Sequence, residues 1–93
     1  MNIQQLIAQR FQDALIQLGH PEAPVPVGKS TRPEFGEYQF NGAMALAKSM
    51  QKNPREIAQL ILETVELDDM ASQLAIAGPG FINIHLHSQW LAQ

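Results

Sequence analysis

The chain has 93 residues, of which 45% are hydrophobic, with a net charge of −3 and no cysteine. That is enough for one small domain, standing alone or within a longer chain, with a modest core and a thin margin of stability. Disulfides and thiolate metal sites are excluded, a reducing cytoplasm is the natural compartment, and the acidic balance argues against a protein that grips nucleic acid mainly through phosphates. A small module that reads exposed bases, while a larger partner domain supplies the charge, stays open. Met1 to Gln9 lack the basic start and apolar run of a secretion signal. The apolar stretches are too short to span a membrane.

The spacing of Ile3, Leu6, Ile7, Phe11, Ala14, Leu15 and Leu18 predicts an amphipathic helix over residues 2–18. Gly19 suits the residue after it, and Pro21 prevents continuation. Three prolines between Pro21 and Gly28 exclude a central strand but allow a short edge strand near Val25–Val27. Residues 28–36, polar and punctuated by Gly28, Pro33 and Gly36, read as a loop. A second helix is expected from about Asn41 to Met50, where Ala43 to Ala47 are dense in good helix formers. Asn53-Pro54-Arg55-Glu56 is a start signal, with Asn53 as cap, Pro54 in the first turn and Glu56 able to reach back. The third helix then runs to about Val65, with Ile57, Leu60, Ile61 and Val65 inward.

Beyond Asp68-Asp69 the period changes from helical to alternating. Gln73 to Ala77 and Phe81 to His87 flank Gly78-Pro79-Gly80, the pattern of a β-hairpin. Ser88 is placed to cap a last helix through Gln89, Trp90 and Leu91 to Gln93, with Trp90 expected at the surface. The order indicates an α+β fold: a small antiparallel sheet with a C-terminal β-hairpin, packed on one face by three to four helices.

On the second hairpin strand Ile82, Ile84 and Leu86 must face the helices. Phe81, Asn83, His85 and His87 then point the other way, so an aromatic ring and an amide share a face expected to be solvated. A ring can stack on an unpaired base and an amide can bond its edge, a combination suited to a splayed-out RNA nucleotide. Ala75 and Ala77, small and on the neighbouring strand, leave room beside the ring. The plainer reading is that Phe81 packs under a loop or against a neighbouring domain.

Other motifs carry less. His85 and His87 share a face at i, i+2, but no third or fourth metal ligand is near in sequence. His20 sits past a helix end, where the helix dipole accounts for it. Gly28-Lys29-Ser30-Thr31 imitates the end of a phosphate loop, yet Ala23 stands where the motif needs glycine, and Pro24 and Pro26 remove amide donors. Lys29 and Arg32 can still touch an RNA backbone. Lys48, Lys52 and Arg55 form either a small basic patch or an ordinary solvated surface. No catalytic constellation is present.

Two blocks go beyond pattern. Phe35-Gly36-Glu37-Tyr38-Gln39-Phe40-Asn41-Gly42-Ala43-Met44-Ala45-Leu46-Ala47-Lys48 resembles a block near the start of bacterial arginyl-tRNA synthetases, and Ala77-Gly78-Pro79-Gly80-Phe81-Ile82-Asn83-Ile84 resembles a second block of the same N-terminal additional domain. Met1-Asn2-Ile3 and Asn53-Pro54-Arg55-Glu56-Ile57-Ala58 are similar too, so the resemblance runs in order over the whole chain. It implies a single tRNA-contacting domain over residues 1–93, with the catalytic and anticodon-binding domains lying outside. It implies a small α+β module that contacts the D-loop at the outer corner of arginine tRNA. Phe81 and Asn83 match the family positions that contact one D-loop base, with Gly80 beside them. Gly78 matches a third contact of some eukaryotic relatives and has no side chain with which to make it. Glu37 stands where the family usually has aspartate and is expected to close the turn before the second helix. Tyr38 and Gln39 are left open between structural and RNA-facing roles.

The parent enzyme implied is a ligase that attaches arginine to its tRNA using ATP with Mg. Its adenylate signature is not in this sequence, so the chain alone is expected to hold no cofactor and to be catalytically silent. The partners implied are arginine tRNA and the catalytic domain of the same chain, with neither DNA nor a membrane among them. Two other readings stand beside this one: a domain of the same origin that only packs on the rest of the synthetase, and an unrelated protein-interaction domain using Phe81 and its strand edge.

Overall fold

A computed structural model describes residues 2–91. Asn2 opens it with a capping box: its side chain accepts the Gln5 N–H at 2.8 Å, and Gln5 Oε1 accepts the Asn2 N–H at 3.1 Å. Two otherwise orphaned donors are thereby satisfied at the start of helix α1 (Ile3–Gln17). The chain continues through β1 (Val27–Lys29), a 3₁₀ turn at Pro33–Phe35, β2 (Tyr38–Phe40), α2 (Ala43–Met50), α3 (Pro54–Thr64), β3 (Ala71–Ala77), β4 (Phe81–Leu86) and α4 (Ser88–Leu91). The continuation of the last helix to Gln93 falls outside the described residues.

The strands form one antiparallel sheet in the order β1-β2-β4-β3. The expected α+β architecture and hairpin are present, but the sequence reading omitted β2, an interior strand. Tyr38-Gln39-Phe40 is only three residues long, too short for alternation to declare itself between a loop and a helix. The edge strand lies two residues later than expected, so Gly28 and Lys29 belong to it rather than to a loop.

Register sorts the side chains into rows. Val27, Phe40, Ile82 and Ile76 stand in one row across the sheet, and Lys29, Tyr38, Ile84 and Leu74 in another. Both rows face the helices, and their central members Phe40, Ile82 and Ile84 are fully buried. Phe11 of α1 stacks flat on Phe40, with ring centroids 4.3 Å apart and planes 6° from parallel. Ile7, Leu15, Ala43, Ala47, Ile57, Ala58, Ile61, Leu67 and Met70 also belong to the core. On α3 the buried arc is Ile57, Ala58 and Ile61; Leu60, expected inward, is 46% exposed because it lies on the flank of that arc. Asn53 caps α3 through the Arg55 N–H at 2.8 Å, with Pro54 in the first turn.

A second set of contacts ties the chain's two ends to the segment before β3. Arg10 of α1 grips the Asp69 carboxylate with both guanidinium nitrogens, at 2.7 and 2.9 Å, and the Glu66 carbonyl at 2.8 Å. The indole N–H of Trp90 donates to the Asp69 carbonyl at 2.9 Å. Trp90 is accordingly half-buried against the core, not left at the surface as the sequence suggested. Ser88 is the first residue of α4, and the His87 carbonyl accepts the Trp90 N–H at 3.0 Å.

Two consequences follow. Replacing Phe40 by Ala removes a ring with partners on every side and is expected to cost about 3–5 kcal/mol, a large share of a small domain's stability. Leu60→Ala is expected to cost under about 1 kcal/mol. Urea unfolding of the two variants checks the contrast. The Asp69 carboxyl is held below its ordinary value first by the hydrogen bond from Arg10 and then by that residue's charge. A depressed carboxylate contributes stability above its unfolded value and loses it as pH falls through the folded one. Asp69→Asn should therefore flatten the acid limb of the stability curve below about pH 4. For so exposed a pair the difference is expected to be no more than about 1 kcal/mol.

Candidate functional site

The pleat of β4 sends Phe81, Asn83 and His85 to the face away from the helices. That face is not open. After β1 the chain crosses it as a strap, residues 30–36, pinned by Ser30 N–H to the Glu37 carbonyl at 3.1 Å and Glu37 N–H to the Ile84 carbonyl at 2.9 Å. Gly36 makes this approach possible: its φ is +84°, and a Cβ there would run into the Ile84 carbonyl. The Glu37 carboxylate accepts the Leu86 N–H at 2.7 Å. It thus anchors the strap to the end of β4 and does not close the turn before α2.

Between strap and sheet lies a cleft of ≈ 420 Å³ whose lining includes Lys29, Phe35, Gln39, Gly78, Phe81 and Asn83. Phe81 is half-buried in its wall, with Ala77 directly opposite across the hairpin. Asn83 forms part of its floor and is only 5% exposed, in contrast to the solvated position expected from alternation. The covering strap and the neighbour Gln39 account for the difference. Gln39 lies in register with Asn83 and donates from Nε2 to Asn83 Oδ1 at 2.7 Å. Across all four strands this row reads Gly28, Gln39, Asn83, Ala75, two amides flanked by two small residues.

Of the residues singled out by sequence, the structure therefore gathers Phe81, Asn83, Gly78 and Lys29 around one cleft. Lys29 borders it from the sheet edge, since register pairs it with Tyr38 and not with Gln39. Arg32 lies outside the cleft lining, paired loosely with Glu34 at 3.8 Å and 6.0 Å from the centre of the Phe35 ring. Gly80 is buried at the hairpin turn, where an added Cβ would meet Pro54 atoms at 3.1–3.2 Å and φ is +147°. It lets the turn dock on the start of α3. Arg55, exposed on the surface of α3, reinforces that docking by donating from Nη1 to the Gly78 carbonyl.

Gln39 and Phe35 are the site members the sequence reading did not assign. The signal for Gln39 was the apolar residue on either side of it, a strand's alternation read too briefly. His85 and His87 do not converge on acidic partners: the His87 Nε2 lies 2.9 Å from the Asp68 carbonyl, and no group of three potential metal ligands occurs among the described residues. Gly28 and Lys29 are strand residues and the Ser30 N–H is spent on Glu37. The His20 N–H donates to the Leu15 carbonyl at 2.8 Å, finishing α1.

A family profile described as the arginyl tRNA synthetase N terminal domain matches residues 1–86. This chain belongs to that family. Arginine–tRNA ligases of Alteromonas mediterranea and Pseudoalteromonas atlantica are 63% and 53% identical to it, each over 99% of the chain. The chain spans 16% of the length of either relative. Arginyl-tRNA synthetase structures from Thermus thermophilus and Plasmodium falciparum share its fold, with TM-scores of 0.84 and 0.78 over 96% of the chain at 24% and 23% identity. The chain covers 15% and 17% of those two structures. No helix among the described residues is long and apolar enough to cross a membrane.

Within this synthetase domain the hairpin turn is held against the start of α3 at both Gly80 and Gly78. Arg55→Ala should leave the fold in place at a cost of about 0.5–1.5 kcal/mol. It should raise the fast backbone motion of residues 78–80, read as lowered amide order parameters.

Proposed function

We propose that this domain receives one unpaired base of the arginine tRNA D-loop in the cleft between the strap and β4. The ring of Phe81 offers a stacking surface and Asn83 offers a hydrogen-bonding edge. The observation that carries this reading is the cleft itself: an accessible aromatic wall beside a polar floor, with Ala77 and Ala75 leaving space around both. Stacking and edge contacts are how single-stranded RNA bases are read, and they need little cationic charge. That fits a net charge of −3. Lys29 at the cleft margin and Arg32 on the strap are the cations nearest in sequence to the covering segment, available to the RNA backbone.

The relatives are arginine–tRNA ligases several times longer than this chain. We take the domain to work in the same polypeptide as a catalytic domain that uses ATP with Mg to attach arginine to tRNA in the cytoplasm. Activation of arginine belongs to that larger part. The chain by itself is expected to give no arginine-dependent pyrophosphate exchange.

The test is a titration of the isotope-labelled chain with unmodified arginine tRNA transcript at low salt. Expected are amide shifts confined to Gly78 through Asn83, their strand neighbours and the strap, smaller for a transcript altered in the D-loop. Phe81→Ala should weaken binding by about 1–3 kcal/mol, the contribution of one stacked base, without unfolding the domain. An absence of shifts at high RNA concentration would reject the base-reading role and leave packing on the rest of the synthetase as the domain's task.

A further inference from the structure

We infer that Gln39 is a positioning residue that sets the polarity of the base-reading edge: by donating to Asn83 Oδ1 it turns the Asn83 NH₂ toward the cleft. The inference rests on the reading of the cleft given above. A carboxamide has two chemically opposite ends at nearly the same shape, so its orientation is decided by its neighbours. Here register fixes which residue that neighbour is, and the hydrogen bond between the two amides fixes which end it presents. Gln39 stands directly across from Asn83 on an adjacent strand and its Nε2 lies 2.7 Å from Asn83 Oδ1.

The remaining valences follow from that one bond. Asn83 Nδ2 has no hydrogen bond within the described chain, yet no polar side-chain atom there is both fully buried and unpartnered. At 5% exposure the Asn83 side chain has little open surface, and both amides line the cleft. Its NH₂ group therefore opens onto the cleft. On the far sides of the two amides stand Gly28 and Ala75, neither of which brings a polar side-chain atom that would reorient them. The cleft thus presents a donor at Asn83, and a base is favoured when it turns an acceptor toward that position. Asn83 supplies the contact, and Gln39 decides its sign.

Gln39→Glu is the discriminating substitution, because it keeps the shape and removes the donor. A carboxylate at position 39 can only accept, so Asn83 must rotate to give it an N–H and show Oδ1 to the cleft. Two measurements are made on the 93-residue chain. In the free protein, the Gln39 side-chain amide protons should exchange more slowly than those of Asn83, and in Gln39→Glu the Asn83 protons should become the protected ones. In binding, arginine tRNA transcripts carrying each of the four bases at the contacted D-loop position should change their order of affinity in Gln39→Glu, with preferences moving by about tenfold.

Protected Asn83 protons in the unsubstituted chain would overturn the inference without any RNA being present. Uniform weakening of all four transcripts by Gln39→Glu would overturn it as well, since that is what a merely structural role produces. If Phe81→Ala weakens binding while Gln39→Glu leaves the order of bases unchanged, the base-reading role stands and this inference falls. If no transcript binds the unsubstituted chain, both fall together.

Discussion

Ile82 and Ile84 are fully buried on the helix side of β4, and every other feature of the site depends on that commitment. A strand's side chains alternate, so burying these two directs Phe81 and Asn83 to the opposite face with no freedom left to choose otherwise. The same two isoleucines sit in register with Phe40 and Tyr38, which fixes β2 and therefore places Gln39 beside Asn83. A slip of one residue would put the amides in the core and the isoleucines in the cleft. The hydrophobic rows that hold the sheet together thus also hold the polar row in alignment, and mutations that loosen the core should blur the site before they unfold the domain.

A polar row on the outer face would be of little use if water flooded it. The strap over residues 30–36 restricts access, and it is held close by backbone geometry and not by apolar burial. Gly36 allows the chain to cross within contact of the Ile84 carbonyl, and the Glu37 carboxylate satisfies the Leu86 N–H, which has lost its place in the ladder. The result is a cleft with one rigid wall of sheet and one wall of strap. The low-dielectric setting strengthens any hydrogen bond that Asn83 makes inside it.

The parts of the fold that repeat were legible in the sequence. Seven apolar positions spaced at three and four residues marked α1, and twelve residues of alternation around Gly-Pro-Gly marked the hairpin. What escaped were elements whose identity is tertiary. Three residues of β2 carry no periodicity of their own and become a strand only because β4 and β1 lie on either side. Leu60 has the spacing of a core residue but sits off an arc whose direction is set by where the sheet lies. Phe81 and Asn83 were found from alternation and from the family blocks, but Asn83 was expected in solvent, because alternation gives a face and says nothing of what covers it. Gln39 stayed open between a structural and an RNA-facing role, because the partner that decides it is 44 positions away in sequence.

The charge of the chain and the character of the cleft have one physical explanation. A module that bound RNA through phosphates would need cations, and their attraction would be strong, salt-sensitive and indifferent to sequence. With nine acidic against six basic residues, this domain gains little from such a term. Under the proposed reading its contribution to affinity is then limited to roughly one stacked base and one or two edge contacts, a few kcal/mol at most. That gives the isolated chain only weak, low-salt binding of tRNA, yet it is enough to discriminate between tRNAs once a larger, more basic surface has brought them close. An acidic surface would even help, because it suppresses docking of nucleic acids that place no base in the cleft. Weak intrinsic binding by the isolated chain is therefore what such a discriminator requires.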